Sequence, residues 1–264
     1  MKIAFEKYKR VFAFGCSFTE YSYPTWADII AIEMPDAEIY NLAKRAGGNM
    51  LIAARIAEAN LRFDFCDTDL VMVMYTMSFR EDRHLNGSWK SVGNIYEQSY
   101  YPMDKFVLPY CQPVGMLIRD SAIIELSSQY VRSLPCDNLL LKAAPVFAGS
   151  AAAPNFQKEE NKVTDLYKKM FNRFPPTLCE TEFPDGLEPR LTFTPEKKLR
   201  LDYHPLPNRY RNYLLKIGIN LTERSEKYVE EAMSKVNNAK VWKDLTEDFP
   251  EILQRREYKK SLMF

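Results

Sequence analysis

Residues 10–14, 38–42, 70–75 and 138–143 are short apolar runs with polar or turn residues at their ends. Runs of that length and character predict strands covered on both faces. Between them, residues 26–34, 49–61 and 120–134 repeat apolar side chains at helical spacing, with alanines in the second stretch. Residues 70–75, preceded by the polar Asp67-Thr68-Asp69, are the most strand-like of all. Strand, helix, strand, helix, strand: this order predicts an α/β fold with a doubly wound, mostly parallel, flavodoxin-like sheet and right-handed crossovers.

Two stretches interrupt the rhythm. Residues 81–118 are long for a connection and carry Trp89, Tyr96, Tyr100, Tyr101, Phe106 and Tyr110. Residues 145–200 hold seven of the 16 prolines around one charged helical segment at about 156–174. Both read as insertions, either lids and binding loops or surface excursions without a role. The aromatic side chains of the first suit stacking on sugar rings or packing on the sheet edge. After Pro207 the chain reads as helical through 264, with nine basic and nine acidic residues from Glu223 onward. That balance fits a solvated amphipathic extension. The expected organisation is residues 1–220 as one domain with the two insertions, and 221–264 as a helical extension packed on it.

Composition narrows the function classes. The chain has 264 residues, 46% of them hydrophobic and 27% charged, enough for one substantial core and unlike a disordered or fibrous chain. Lys and Arg total 36 against 35 Asp and Glu, so net charge offers no pull toward nucleic acid or membrane. Cys16, Cys66, Cys111, Cys136 and Cys179 form no C-x-x-C pair, so neither a zinc site nor a redox dithiol is expected. Glu6, Lys7, Lys9 and Arg10 interrupt any apolar leader, and no run is long enough to span a membrane. The expectation is a cytoplasmic protein with no cofactor and no metal.

Only two histidines exist, His84 and His204. His204 precedes Pro205, which pushes it toward extended backbone and sets Asp202, two residues back, on the same side. A carboxylate there can accept the imidazole Nδ1–H and stabilise the imidazolium, although a structural histidine is an equal reading. Gly15-Cys16-Ser17-Phe18-Thr19 follows the first strand at its carboxyl end, where open α/β sheets bind ligands. Gly15 permits a sharp turn that presents Ser17 Oγ and its backbone N–H together, a nucleophile with one oxyanion donor. The alternative for Ser17 is a helix N-cap.

Phe14-Gly15-Cys16-Ser17-Phe18-Thr19 resembles the first block of the SGNH (GDSL-like) hydrolases, in the Gly-x-Ser-Phe-Thr branch common in phage and bacterial proteins. Asp202-Tyr203-His204-Pro205 resembles the last block, and Asn41 through Asn49 and Asp69 through Thr76 fall where the second and third belong. The resemblance implies a three-layer α/β/α sandwich with Ser17 as nucleophile, His204 as general base and Asp202 as its orienter. It implies oxyanion donors at Ser17, at Ala46 or Gly47, and at a third-block side chain.

This chain departs from the family pattern in three places. The usual Asp-x-x-His is shortened to Asp-x-His. The second-block glycine aligns with Ala46. The third-block Gly-x-Asn is missing, so Thr76, Ser78 or Asn49 must supply the side-chain donor. Arg80, just after the third strand, is a substrate-binding candidate or a surface ion pair, and His84 reads as a loop residue. Cys16 reads as packing beside the nucleophile. The implied activity is ester hydrolysis on an O-acylated carbohydrate or other small ester. The alternatives are a lipid esterase or acyltransferase, and a weakened binding or assembly module such as a phage-related structural protein.

Overall fold

The computed structural model describes residues 3–145, 157–187, 189–193, 199–239 and 242–262. Four parallel strands make its main sheet: β1 (Arg10–Phe14), β2 (Glu38–Asn41), β3 (Asp69–Tyr75) and a later strand, β6 (Asp137–Lys142), in the order β2-β1-β3-β6. β3 is buried along its whole length, as its unbroken apolar sequence requires of a central strand. Alternation of side chains splits the core into two layers. Phe12, Phe14, Val71, Val73 and Tyr75 face α2 (Asn49–Phe63), α4 (Pro113–Ser133) and α5 (Gln157–Phe171). Val11, Ala13, Leu70, Met72 and Met74 face α1 (Trp26–Ala31), α6 (Leu178–Glu182), α7 (Pro207–Lys216) and α8 (Glu223–Asn238). The result is the expected α/β/α sandwich.

Where elements end differently from the sequence reading, local chemistry explains it. α1 stops three residues early, because tight turns at Glu33 and Met34 lead into Pro35. The helical run after Pro207 breaks at Gly218, whose φ of 82° and hydrogen bond to Leu215 end α7 in a left-handed cap. α8, α9 (Trp242–Glu247) and α10 (Pro250–Leu262) follow. Part of this extension packs Ala232, Val236, Leu245, Phe249 and Ile252 around Tyr21 and Tyr23. Arg255 on α10 pairs with Asp28 of α1 at 2.5 Å, and Lys259 with Glu20 at 2.5 Å. Among the described residues no helix is long and apolar enough to cross a membrane.

The first insertion is not an irregular loop. It opens with a hairpin, β4 (Arg80–Leu85) and β5 (Ser88–Asn94), turning on Asn86 and Gly87 with φ of 51° and 78°. It continues through a wide helical turn at Met103–Val107 and the single turn α3 (Leu108–Tyr110) into α4. Ile95 and Val107 join the core, and Tyr96, Tyr101 and Phe106 pack against it, so half of its six aromatic residues serve packing. In the second insertion, β7 (Arg190–Phe193) pairs antiparallel with β8 (Leu199–Asp202). Residues 146–156 and 194–198 of that insertion lie outside the described residues.

The β4–β5 hairpin clamps the turn that opens α2. Asp82 accepts from Gly48 N at 2.9 and 3.0 Å, from Leu51 N at 3.1 Å and from Ser91 Oγ at 2.6 Å. A carboxylate borrowed from a distant strand thus caps a helix whose own N-cap, Gly48, has no side chain. A Cβ at Gly48 would sit 2.7 Å from Asp82 Oδ2 and 2.8 Å from Arg80 Cβ, so only glycine allows this approach. Asp82→Ala leaves two helix N–H groups and Ser91 without their acceptor. It should cost about 3 kcal/mol of stability in urea unfolding, with the denaturant slope unchanged.

Candidate active site

β1 ends at Gly15, and the chain turns at once. Thr19 N and Glu20 N both donate to Cys16 O, closing a turn that carries Ser17 at its outer edge. A Cβ at Gly15 would lie 2.0 Å from Thr19 Oγ1 and 3.2 Å from Met74 O, so the turn forms only with glycine there. Thr19 is buried and holds the turn from inside, taking hydrogen bonds from Trp26 Nε1, Thr25 Oγ1 and Asn41 Nδ2. Cys16 points into the core, while Ser17 is half-buried. α1 starts nine residues later with Thr25 as its cap, so Ser17 is no helix cap.

At the other end of the chain, β8 delivers Asp202 and the extended segment after it delivers His204. The Asp202 side chain is fully buried and the His204 side chain 22% exposed. His204 Nδ1 lies 2.7 Å from Asp202 Oδ1, and His204 N donates to the same oxygen at 3.0 Å. The shortened Asp-x-His spacing therefore gives a close pair, because two residues apart on extended backbone share a face. Tyr21 Oη donates to Asp202 Oδ1 at 3.1 Å, and Arg190 Nη2 to Oδ2 at 3.1 Å. Tyr21 also stacks on the imidazole with ring centres 3.8 Å apart, and Phe18, next to Ser17, meets it edge-on at 5.5 Å. The Ser17 turn and the histidine are thus in contact through Phe18. Among the described residues Ser17 Oγ makes no hydrogen bond, to His204 or to any other group.

Burial pushes His204 below the ordinary imidazole value, and the Arg45 and Arg80 charges push it the same way, against the raising effect of Asp202. At neutral pH the ring is the free base. Burial works to raise Asp202, but the hydrogen bonds from His204 and Arg190 outweigh it and hold the carboxyl ionised. Burial and the Asp202 charge raise Tyr21, which stays a hydrogen-bond donor.

The second-block turn lies against the first, tied by Lys44 N to Gly15 O at 3.0 Å. Gly47 N donates to Lys44 O, and Gly48 N to Asp82. Of the three amides from 46 to 48, only that of Ala46 has no acceptor among the described residues, and Ala46 holds a φ of 63°. That left-handed backbone is where the resembled family has glycine, and for alanine it stores about 1 kcal/mol of strain. Asn49 bridges to the end of β3, its Oδ1 accepting from Thr76 N and its Nδ2 donating to Thr76 O. Thr76 Oγ1 and Ser78 Oγ are buried there without a partner. Arg80 donates to Gly47 O at 3.2 Å and makes no ion pair among the described residues, so it is not part of a surface salt bridge. His84 is exposed on the hairpin, edge-on to Trp89. Among the described residues no three His, Cys, Asp or Glu side chains are grouped to hold a metal.

Sequence reasoning missed Tyr21, Arg190, Arg45 and Asp82. The Asn86-Gly87 pair marks the hairpin that carries Asp82, since both residues favour the left-handed turn it needs. Nothing local marks the other three.

No family model matches this chain, and no curated protein matches it. Among solved structures it is similar to a GDSL-like lipase from Bacteroides thetaiotaomicron, at 12% identity over 86% of this chain and 87% of the other, with a TM-score of 0.35. It is also similar to a Bacteroides fragilis protein whose name proposes an acylhydrolase, at 13% identity over 90% and 88%, with a TM-score of 0.35. At those values the fold rests on the chain's own strand order and layers.

A close Asp202–His204 pair has a direct spectroscopic consequence. In an NMR titration His204 should protonate below the usual imidazole range. Asp202→Asn, which removes the one influence raising it, should move it lower still; an unchanged titration would mean that the pair does not form in solution.

Proposed function

We propose that the protein is a serine esterase of SGNH type that acts on small esters, O-acylated carbohydrates among them. The observation that carries this reading is the Asp202–His204 pair, stacked under Tyr21 and touching the turn that presents Ser17. In the proposed reaction His204 Nε2 takes the Ser17 proton as Oγ attacks the acyl carbon. Asp202 holds the Nδ1–H tautomer and stabilises the imidazolium. The Ser17 and Ala46 amides receive the oxyanion, with the Thr76 or Ser78 hydroxyl or Asn49 Nδ2 as the third donor. His204 then protonates the leaving alcohol. Water, deprotonated by His204, hydrolyses the acyl-enzyme. One oxyanion donor is worth about 2.7–4 kcal/mol, so a hydroxyl in place of the missing asparagine sets how fast the enzyme runs.

The test is hydrolysis of 4-nitrophenyl acetate. Ser17→Ala should abolish it with the circular-dichroism spectrum unchanged, and a fluorophosphonate should label Ser17. Cys16→Ala should keep most of the activity, because that thiol faces the core. His204→Ala and Asp202→Asn should lower kcat/KM by similar factors, roughly 10³ or more, since a close pair acts as a unit. An unchanged rate in folded Ser17→Ala would sink the reading, and inertness toward every ester would favour a binding module.

The pH profile follows from the direction of the His204 shift. The base works only when neutral, and its proton affinity is depressed. The acidic limb of kcat/KM should therefore fall at a pH below the ordinary imidazole value of 6.5, and activity should persist under mildly acidic conditions. A limb above that value would assign the base elsewhere.

A further inference from the structure

Two arginines converge on the turn that carries Ala46. Arg45 precedes it in sequence, donates to Ser22 Oγ at 3.0 Å and lies over the Tyr21 ring at 5.0 Å. Arg80 arrives from β4, packs its Cβ over Gly48 and donates to Gly47 O. Both are half-buried. Tyr21 is the ring stacked on His204, so the Arg45 guanidinium lies within one aromatic ring of the catalytic imidazole.

Several part-buried arginines here meet a carboxylate: Arg10 meets Asp69, Arg119 Glu81, Arg190 Asp202 and Arg255 Asp28. Arg80 meets none among the described residues, and its Nε is buried without a partner. The nearby carboxylates are engaged elsewhere. Asp82 accepts from two α2 amides and Ser91, Asp202 from His204, Tyr21 and Arg190, and Glu81 pairs with Arg83 and Arg119. Arg80 therefore brings to the histidine a positive charge that none of these carboxylates offsets. A guanidinium half removed from water without a counter-charge carries a standing cost that an arriving anion lowers.

We infer that Arg45 and Arg80 form an anion subsite beside Ser17 and His204, so that the preferred ester carries a negatively charged oxygen group such as a carboxylate or phosphate. This rests on the esterase reading for the word ester but not for the anion site. An anion held there offsets the two charges that disfavour the imidazolium, so it strengthens His204 as a base as it binds.

Two measurements test it. The first needs no turnover: in a His84→Asn background His204 is the single imidazole, and its NMR titration is followed with inorganic sulfate and with inorganic phosphate. The expected result is a saturable upward shift of the His204 pKa. In Arg45→Gln/Arg80→Gln the starting value should be higher and the response gone, while Arg80→Lys should keep part of it. The second compares 3-carboxy-4-nitrophenyl acetate with the corresponding carboxamide. The charged ester should be favoured about tenfold in kcat/KM, with the preference lost in the double variant and reduced by salt. A His204 titration indifferent to both anions, with Ser17-dependent hydrolysis intact and equal rates on the two esters, overturns the anion site and leaves the esterase standing. An anion response lost in the double variant, with no ester cleaved, overturns the esterase and leaves the site.

Discussion

A carboxylate buried as completely as Asp202 stays ionised only if donors surround it, and four hydrogen bonds do so here. Its partners come from three elements: Tyr21 after β1, Arg190 on β7, and the backbone and ring of His204 just after β8. Each donor that ionises the carboxylate is also placed by it. The imidazole is fixed in one tautomer, Tyr21 is laid flat against the ring, and the β7–β8 hairpin is fastened to the sheet edge that carries Ser17. Removing the charge would loosen all three at once, because breaking one member of a buried ionic network leaves the others unmatched. The orientation of the imidazole and the local architecture are one electrostatic arrangement.

A second arrangement does the same for the neighbouring turn. Asp82 anchors the start of α2, and by taking the Gly48 amide it leaves the Ala46 amide as the donor without an acceptor among the described residues. The left-handed alanine is held in place by hydrogen bonds on both sides, Gly47 N to Lys44 O and Gly93 N to Ala46 O. Backbone strain of this kind persists only where surroundings over-determine it. The hairpin that reads as an insertion is the part that does so.

What could be read from sequence follows the range of the forces involved. β1, β3 and β6 are legible because burial on both faces demands continuous apolar runs, and their boundaries fall within a residue or two. The Asp202–His204 pair is legible because Pro205 restricts the backbone locally. The β4 strand is not, since Arg80-Glu81-Asp82-Arg83-His84-Leu85 has no apolar alternation. Its pairing is set by the Asn86-Gly87 turn and by the long reach of Asp82 to α2. Nothing local marks Tyr21 or Arg190, because their roles exist only once the chain brings Asp202 to them, across 181 positions for Tyr21 and across the β7–β8 hairpin for Arg190. The choice among the amides at 46–48 needed the hydrogen-bond map, which no spacing rule supplies.

The tyrosines that brace His204 are themselves braced. Tyr21 and Tyr23 form one cluster with Val236, Leu245, Phe249 and Ile252 from α8 and the helices after it. The first turn of the sheet, the hairpin before residue 204 and the helices beyond 223 must therefore all be in place before the imidazole has its final surroundings. During synthesis the segment bearing Ser17 emerges before α8, α9 and α10 and waits for them to follow. Contacts of such long sequence separation are slow to close, so the surroundings of His204 are among the last features to mature. A chain that stops before α8 consequently leaves His204 without these supports even when its β2-β1-β3 core has already formed.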